Sequence, residues 1–267
     1  MAILMIFIFL PIAGILAANF LFKRTYQDKH TRKKGQMPYQ YLLVDNDNTL
    51  MDFNAAEYKA LRQTLREAGL PADDATCQTY HHINDALWKA LERGETTQGE
   101  LKVERFRQLL SHLGRSSMEA ESLAATYANN LGNYADLLPG AEEFIQRLHG
   151  KMKIALVSNG VSAIQRNRLS LCPLTPLFDA IIISEEVGAA KPDPKMILLA
   201  LEQLGCTDKK HAVLMGDSLS ADIPAAQNAG IDSIYFCQKG MQKNTATYTV
   251  TSHKEALRLL LPPEDLH

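Results

Sequence analysis

The sequence predicts an α/β protein: a Rossmann-like parallel sheet of five strands, covered by helices and interrupted by an inserted all-helical cap domain. From Tyr39 onward, short apolar runs alternate with helical patterns, which is the order that places a parallel sheet between helices. Each run is nearly continuous in apolar residues, as expected for strands buried on both faces. The predicted strands are Tyr41–Val44, Ile154–Val157, Ala180–Ile183, Ala212–Met215 and Ser233–Phe236.

The cap is predicted from the long stretch between the first two strands, which no single crossover helix would fill. Asn54 and Glu57 fit a capping box that opens a helix ending before Gly69. Further helical patterns cover Asn84–Arg93, Gly99–Leu113 and Met118–Leu131, and Pro139-Gly140 marks the return to the sheet. We therefore predict a core formed by residues 37–53 and 137–267, and a helical cap at 54–136.

The N-terminal 36 residues differ in composition from the rest. Residues 1–22 carry no charged side chain, and residues 23–36 hold six lysines and arginines against Asp28 alone. The apolar run is long enough to cross a bilayer, and the basic cluster after it would keep the main domain in the cytoplasm. Two interpretations stay open: a membrane anchor, or an over-extended gene start before Met37. The domain from Met37 onward is expected to fold without this segment.

Composition excludes some classes of protein. Hydrophobic residues make up 46% and charged residues 22% of the chain, as in globular proteins with a true core. Once the net +5 of the basic segment is removed from the formal −2 of the whole chain, about −7 remains, which argues against a nucleic-acid surface. Four scattered cysteines without metal-ligand spacing are typical of reduced thiols in the cytosol.

Polar residues follow the predicted strands at the edge where parallel sheets bind ligands. Asp45 and Asp47 lie close together after the first strand, and two like charges at that distance need a cation or a shared proton. We expect Mg²⁺ to be this cation, because it binds oxygen ligands, with Asp217 or Asp222 after the fourth strand as further ligands. The other segments at this edge are Ser158-Asn159-Gly160 and Lys191-Pro192-Asp193.

This set of side chains predicts phosphoryl chemistry. A carboxylate such as Asp45 can accept a phosphoryl group when a metal ion neutralises the repulsion between the two anions. Lys191 and Ser158 are of the right type to hold the remaining phosphate oxygens. The sequence therefore predicts a Mg²⁺-dependent phosphatase.

In this order, the four motifs resemble those of the haloacid dehalogenase-like (HAD) hydrolase superfamily, and the helical insert resembles its mobile cap. The resemblance implies that Asp45 is the nucleophile and that Asp47 is the acid and base. It implies that Mg²⁺ is held by Asp45, the backbone carbonyl of Asp47 and Asp217, with Asp222 in support. It also implies that Ser158, Asn159 and Lys191 bind the phosphoryl group. Because true haloacid dehalogenases lack the second aspartate, Asp47 favours a phosphatase.

Shorter stretches resemble the pyrimidine 5′-nucleotidase subgroup of that superfamily, which implies a nucleoside monophosphate as substrate. They are Leu87-Trp88 followed by Gly94, Ser158-Asn159-Gly160-Val161, and Ser184–Gly188. Trp88 and His82 in the cap are the first candidates to face a nucleobase, and His81 and Phe106 are further ones.

Two other functions compete with this one. One is a phosphatase or mutase for phosphoglycolate or a small sugar phosphate. The other, from a different class, is a catalytically silent, membrane-tethered interaction module built on the same fold. Such modules usually lose a motif carboxylate, and this sequence retains all of them.

Overall fold

The computed structural model describes residues 37–238 and 243–266. Within that part of the chain, one sheet contains six parallel strands in the order β3-β2-β1-β4-β5-β6. The strands are β1 Tyr41–Val44, β2 Lys153–Ser158, β3 Ala180–Ile183, β4 Ala212–Gly216, β5 Asp232–Phe236 and β6 Tyr248–Val250. The α/β prediction is confirmed, but the predicted number of five strands is wrong. The missed β6 is three residues long, lies at the sheet edge and pairs, within the described chain, with β5 alone, so it has no continuous apolar run.

Helices fill the connections between the strands. Between β1 and β2 lie α1 Phe53–Glu67, α2 Asp74–Glu92, α3 Gln98–His112, α4 Ala120–Leu131 and α5 Ala141–Leu148. The later connections hold α6 Ser162–Leu171, α7 Ser184–Val187, α8 Lys195–Gln203 and α9 Asp222–Ala229, and α10 His253–Leu260 follows β6.

The sheet forms the middle layer of the core. Alternate residues of β1 enter different apolar clusters, because successive side chains of a strand point to opposite faces. Leu42 and Val44 pack in the cluster that includes residues of α5 and α10, whereas Leu43 packs in the one that includes residues of α8 and α9. The strands are thus buried on both faces, which explains their continuous apolar sequence.

Helices α1 to α4 have an apolar cluster of their own. Tyr80, Phe106 and Tyr127 pack ring against ring at its centre, with centroids 5.2 to 5.6 Å apart. Only Val161 and Ile164, next to and within α6, join this cluster from beyond residue 137 among its fully buried members in the described chain. We refer to α1–α4 as the cap.

The start of α1 differs from the sequence prediction. Asp52, rather than Asn54, caps the helix, and its side chain accepts a hydrogen bond from the Ala55 amide at 2.9 Å. Glu57 is not part of a capping box, because its buried carboxylate accepts a hydrogen bond from Asn84 Nδ2 at 2.7 Å instead. A capping box does occur in the cap, formed by Thr97 and Glu100 at the start of α3.

The two linkers of the cap run side by side. The Asp52 amide donates to the Asp136 carbonyl at 2.9 Å, and the Leu138 amide donates to the Leu50 carbonyl at 2.8 Å. Met51 and Leu137 form an antiparallel bridge between these bonds. The two ends of the cap therefore meet at one place, immediately beyond the end of β1.

The predicted membrane anchor at residues 1–22 lies outside the described residues. Within the described ranges, none of the helices combines the length and the apolar character that crossing a membrane requires.

Candidate active site

The strand register brings the predicted motifs together. Val44 at the end of β1 pairs with Leu156 of β2 and with Met215 of β4. The next residue, Asp45, donates its backbone amide to the Met215 carbonyl at 2.9 Å. Because all three strands are parallel, the segments that follow them share one edge of the sheet.

Lys191 connects two of the aspartates at this edge. Its buried ammonium donates to Asp45 Oδ1 at 2.6 Å, to Asp222 Oδ1 at 2.7 Å and to the Val157 carbonyl at 2.8 Å. Burial disfavours the charged ammonium, but the neighbouring Asp222 and Asp45 carboxylates outweigh it and raise the pKa of Lys191. Lys191 is therefore a fixed positive charge beside Asp45.

Asp45, Asp217 and Asp222 form a cluster in which each offers one oxygen, all within 4.8 Å of one another. Burial raises the pKa of Asp45 to about 7, against the opposing effect of Lys191. Burial and the charges of Asp45 and Asp222 raise the pKa of Asp217 well above its usual range. The positive charge of Lys191 thus does not balance the three carboxylates. A hard divalent cation with oxygen ligands fits the cluster.

The partners of each carboxylate indicate how such an ion would be shared. Both oxygens of Asp222 already accept hydrogen bonds, one from Lys191 and one from the Ser218 amide at 2.9 Å. Asp45 and Asp217 are therefore better placed to ligate the ion directly, with Asp222 in support. A Cβ atom at Gly216 would lie 2.3 Å from the Asp222 carboxyl carbon, so only glycine leaves room for this arrangement.

Ser158 and Asn159 have different surroundings. The buried Ser158 hydroxyl accepts from the Gly160 amide at 3.0 Å, so its own proton remains available to a phosphate oxygen. The Asn159 side chain bonds both the carbonyl and the amide of Lys191, each at 2.8 Å. The Asn159 amide group thus holds the Lys191 loop in place, and one N–H of its Nδ2 remains for a phosphoryl oxygen.

The Asp47 carboxylate is turned toward α6 rather than into the acidic cluster. Gln165 Nε2 donates to it at 2.6 Å, and Nη1 of the fully buried Arg168 donates to its other oxygen. Gln165 Oε1 in turn accepts from Asn46 Nδ2 at 2.6 Å. The predicted metal contact of Asp47 is therefore left to its backbone carbonyl. Sequence reasoning missed both α6 residues, whose only signal is their spacing of three on one helix.

A cavity of about 210 Å³ opens above these groups. One water needs roughly 10–15 Å³ by this measure, so the cavity can take much more than a phosphate group. The cap contributes Phe53, Trp88, Glu92, Arg105 and Leu131 to its walls.

The four cap candidates from the sequence separate in the structure. Trp88 lines the cavity, whereas His82 is exposed and absent from its walls. His81 pairs with Glu57 at 2.9 Å, and Phe106 packs inside the cap.

Residues 42–236 match the family model described as haloacid dehalogenase-like hydrolase. The chain belongs to the haloacid dehalogenase-like hydrolases. It is similar to pyrimidine 5′-nucleotidase PynA of Streptococcus pneumoniae, with 36% identity over 84% of this chain and 96% of that protein. Pyrimidine 5′-nucleotidase YjjG of Escherichia coli is 30% identical over 84% of this chain and 99% of that protein.

The fold comparison agrees with the family. The magnesium-bound crystal structure of the HAD-hydrolase YfnB of Bacillus subtilis superposes with a TM-score of 0.78 and 32% identity. The match covers 85% of this chain and 99% of that one, and the YfnB structure is described as revealing interdomain movement. The chain is therefore an enzyme of the HAD-like hydrolases, a phosphatase acting on a small phosphate ester.

Proposed function

We propose that this chain is a Mg²⁺-dependent phosphatase of pyrimidine nucleoside 5′-monophosphates that works through an aspartyl-phosphate intermediate. The observation that carries the proposal is the position of Asp45. It contacts a buried ammonium, belongs to an acidic cluster, and lines a cavity to which the cap contributes the aromatic side chains Phe53 and Trp88.

In the proposed reaction, a carboxylate oxygen of Asp45 attacks the phosphorus atom and the ester oxygen leaves. Asp47 gives that oxygen a proton, so an alcohol departs and an acyl phosphate remains on Asp45. Asp47 then takes a proton from a water molecule that attacks the same phosphorus atom, which releases inorganic phosphate and restores Asp45. Throughout, Lys191 stays fixed against Asp45, and the Ser158 hydroxyl can donate to a phosphoryl oxygen.

The proposed ion is Mg²⁺, held by Asp45, Asp217 and the Asp47 backbone carbonyl. When bound, it would neutralise charge between the Asp45 carboxylate and the incoming phosphate. The donor set of carboxylate and carbonyl oxygens suits Mg²⁺ rather than a softer metal. Burial raises the pKa values of Asp45 and Asp217, and a bound cation would stabilise their charged forms.

The cavity walls support the nucleotide part of the proposal. Phe53, Trp88 and Leu131 from the cap face the same space as Val161 and Ile164 from the sheet side. Aromatic and aliphatic walls suit a planar ring that stacks without being charged. The names of PynA and YjjG point to the same substrates.

We also propose that residues 54–136 act as a mobile cap and that the enzyme works in the cytoplasm. The separate apolar cluster of the cap supports the first point, as does the movement described for YfnB. The four cysteines, all free, support the second.

The proposal is tested with purified protein, Mg²⁺ and a panel of UMP, dTMP, ribose 5-phosphate and phosphoglycolate. We expect the highest kcat/KM with UMP or dTMP, and a loss of at least about 10³-fold in Asp45→Asn. Asp85→Asn, on the exposed face of the cap helix α2, is the matched control and should keep full activity.

Two results would contradict the proposal. Higher kcat/KM with phosphoglycolate or ribose 5-phosphate would favour the competing small-substrate phosphatase. No phosphate release from any ester by a folded protein would favour the silent interaction module.

A further inference from the structure

Arg105, on α3, is a buried charge that faces the cavity. Only 3% of the residue is exposed, and it lines the same cavity as the aspartates of the acidic cluster. Its guanidinium carbon lies 4.7 Å from the ring centroid of Tyr127 and 5.5 Å from that of Phe106. The aromatic rings favour a cation at this position, but they do not satisfy its N–H groups.

The protein uses only part of the hydrogen-bonding capacity of Arg105. Nε donates to the Lys102 carbonyl at 3.3 Å, and Nη1 donates to Asn84 Oδ1 at 3.1 Å. Among the described residues, Nη2 has no protein acceptor and no carboxylate forms an ion pair with Arg105. A buried charge without an ionic partner is costly, and a ligand that accepts its free N–H groups would lower that cost.

The Nε and Nη1 atoms of the Arg105 guanidinium are held rigidly by their hydrogen bonds. Asn84 is itself buried and donates to Glu57 Oε1 at 2.7 Å, so a chain of hydrogen bonds runs from Glu57 through Asn84 to Arg105. This chain and the stacked rings fix the plane of the guanidinium. Its free edge is therefore presented to the cavity in one orientation, as a specific contact requires.

The surroundings favour a neutral acceptor over a second anion. Phe53, Trp88 and Leu131 line the same space and suit a flat, uncharged ring. Glu92 adds a carboxylate to a cavity that already contains the acidic cluster, so a second negative group on a ligand would be repelled along much of its length. A carbonyl oxygen on a planar ring meets both conditions.

We infer that Arg105 determines specificity by donating a hydrogen bond to a carbonyl oxygen of the pyrimidine ring, while Trp88 and Phe53 enclose the ring. This inference rests on the proposed nucleotidase function. The phosphoryl site and the ring site are separate groups of residues, so the two claims are open to separate measurement.

The experiment compares kcat/KM for UMP and for ribose 5-phosphate, which has the same sugar and phosphate but no base. We expect Arg105→Met to lower the value for UMP about 10- to 100-fold, the effect of losing a hydrogen bond to a charged donor. The value for ribose 5-phosphate should change less than about threefold. Arg105→Lys retains the charge but not the planar fork, and should lie between wild type and Arg105→Met.

Arg107→Met is the matched control, because Arg107 lies on the same helix but is exposed and pairs with Glu104 and Glu121. It should leave both substrates unchanged. A second measurement needs no variant of Arg105: the wild-type enzyme is assayed with the 5′-phosphate of a phenyl riboside, whose ring has no carbonyl. We expect its kcat/KM to fall about 10- to 100-fold below that of UMP.

Three results would overturn the inference. The first is an equal loss on UMP and ribose 5-phosphate in Arg105→Met, which would indicate a structural role. The second is a larger loss in Arg105→Met on phosphoglycolate, assayed alongside, than on UMP, which would make Arg105 a site for a second anion. The third is a phenyl riboside phosphate that is hydrolysed as well as UMP. If the wild type does not prefer UMP over ribose 5-phosphate at all, the proposed function fails before Arg105 is tested.

Discussion

The orientation of the Asp47 carboxylate depends on residues outside its own motif. Arg168 bonds both the Asp47 carboxylate and the Tyr134 carbonyl, the latter at 2.8 Å, and its guanidinium lies 5.6 Å from the Phe53 ring centroid. Tyr134 and Phe53 lie at the two ends of the cap. Arg168 is thus a positioning residue that connects the proposed acid and base with both cap linkers.

Removal of this contact should affect poor leaving groups more than good ones. We expect Arg168→Met to lower kcat on UMP by about 10²-fold and on p-nitrophenyl phosphate by less than about tenfold, because nitrophenolate leaves without a proton. Arg166→Met is the control on the same helix, since Arg166 pairs with Glu186 and is largely exposed. Steady-state assays with both esters measure the difference. An equal loss on the two esters would show that Arg168 acts only through stability.

The pKa of Asp45 gives a prediction for pH and metal. The pKa of Asp45 is about 7 in the folded protein and 3.8 in an unfolded chain. At pH values between 3.8 and about 7, the folded metal-free protein therefore holds a proton that the unfolded chain has lost. Stability of the metal-free protein should therefore fall as pH rises through about 4 to 7. Because Mg²⁺ competes with that proton, its stabilising effect should grow over the same range.

Thermal unfolding with EDTA or with Mg²⁺, at several pH values from about 5 to 8, measures both effects. Asp45→Asn should lose part of the pH-dependent gain from Mg²⁺, because Asp217, whose pKa is also raised, remains as a ligand. A gain in Tm that is the same at the two ends of the range would contradict the assignment of Asp45 as a ligand.

At the scale of elements, the start of α3 touches the sheet side of the cavity. Gln98 Nε2 donates to the Asn159 carbonyl at 2.9 Å, and the Gly160 carbonyl is 3.3 Å away. Lys102 on the same helix pairs with Glu185 at the start of α7. These contacts hold the cap against the loop that follows β2 and against α7.

Loss of the Gln98 contact should weaken closure rather than chemistry. We expect Gln98→Ala to raise KM for UMP about three- to tenfold, with a single-turnover rate within about twofold of wild type. Gln108→Ala is the control, because Gln108 is exposed on the same helix and bonds only Glu104 among the described residues. A fall in the single-turnover rate with unchanged KM would place Gln98 in the chemical step instead.

The elements also show which features the sequence could predict. Five strands were predictable because burial on both faces imposes a continuous apolar run, and their parallel order placed four motifs at one edge. The edge strand β6 lacks that run. The start of α1 was misplaced because Glu57 matches a capping pattern, although its carboxylate is used by Asn84, 27 residues away.

The missed site residues have a similar explanation. Gln165 and Arg168 contact Asp47 across 118 and 121 residues of sequence, and Arg105 contacts Asn84 across 21. Each is an ordinary polar residue of an amphipathic helix until the tertiary fold buries it. Motifs at strand ends are local patterns, whereas these pairings depend on how whole helices pack.

At the scale of the whole molecule, the proposed catalytic residues and the proposed specificity residues lie in different parts of the fold. Asp45, Lys191 and Asp217 belong to the sheet, and Trp88 and Arg105 belong to the cap. Each body has its own apolar cluster. Under the proposed function, the phosphate end of a substrate would be bound by one part of the fold and the remainder by the other.

The paired linkers also bear on how the cap could be exchanged as a unit. Residues 50–52 and 136–138 are hydrogen-bonded to each other. The whole cap is therefore joined to the rest of the chain through a two-stranded stem. An insertion whose ends meet can be gained, lost or exchanged without breaking the sheet it interrupts. Such a stem would allow evolution, or a protein engineer, to exchange the cap as one unit, provided that the contacts of Arg168 and Asn159 with the cap and its linkers are kept.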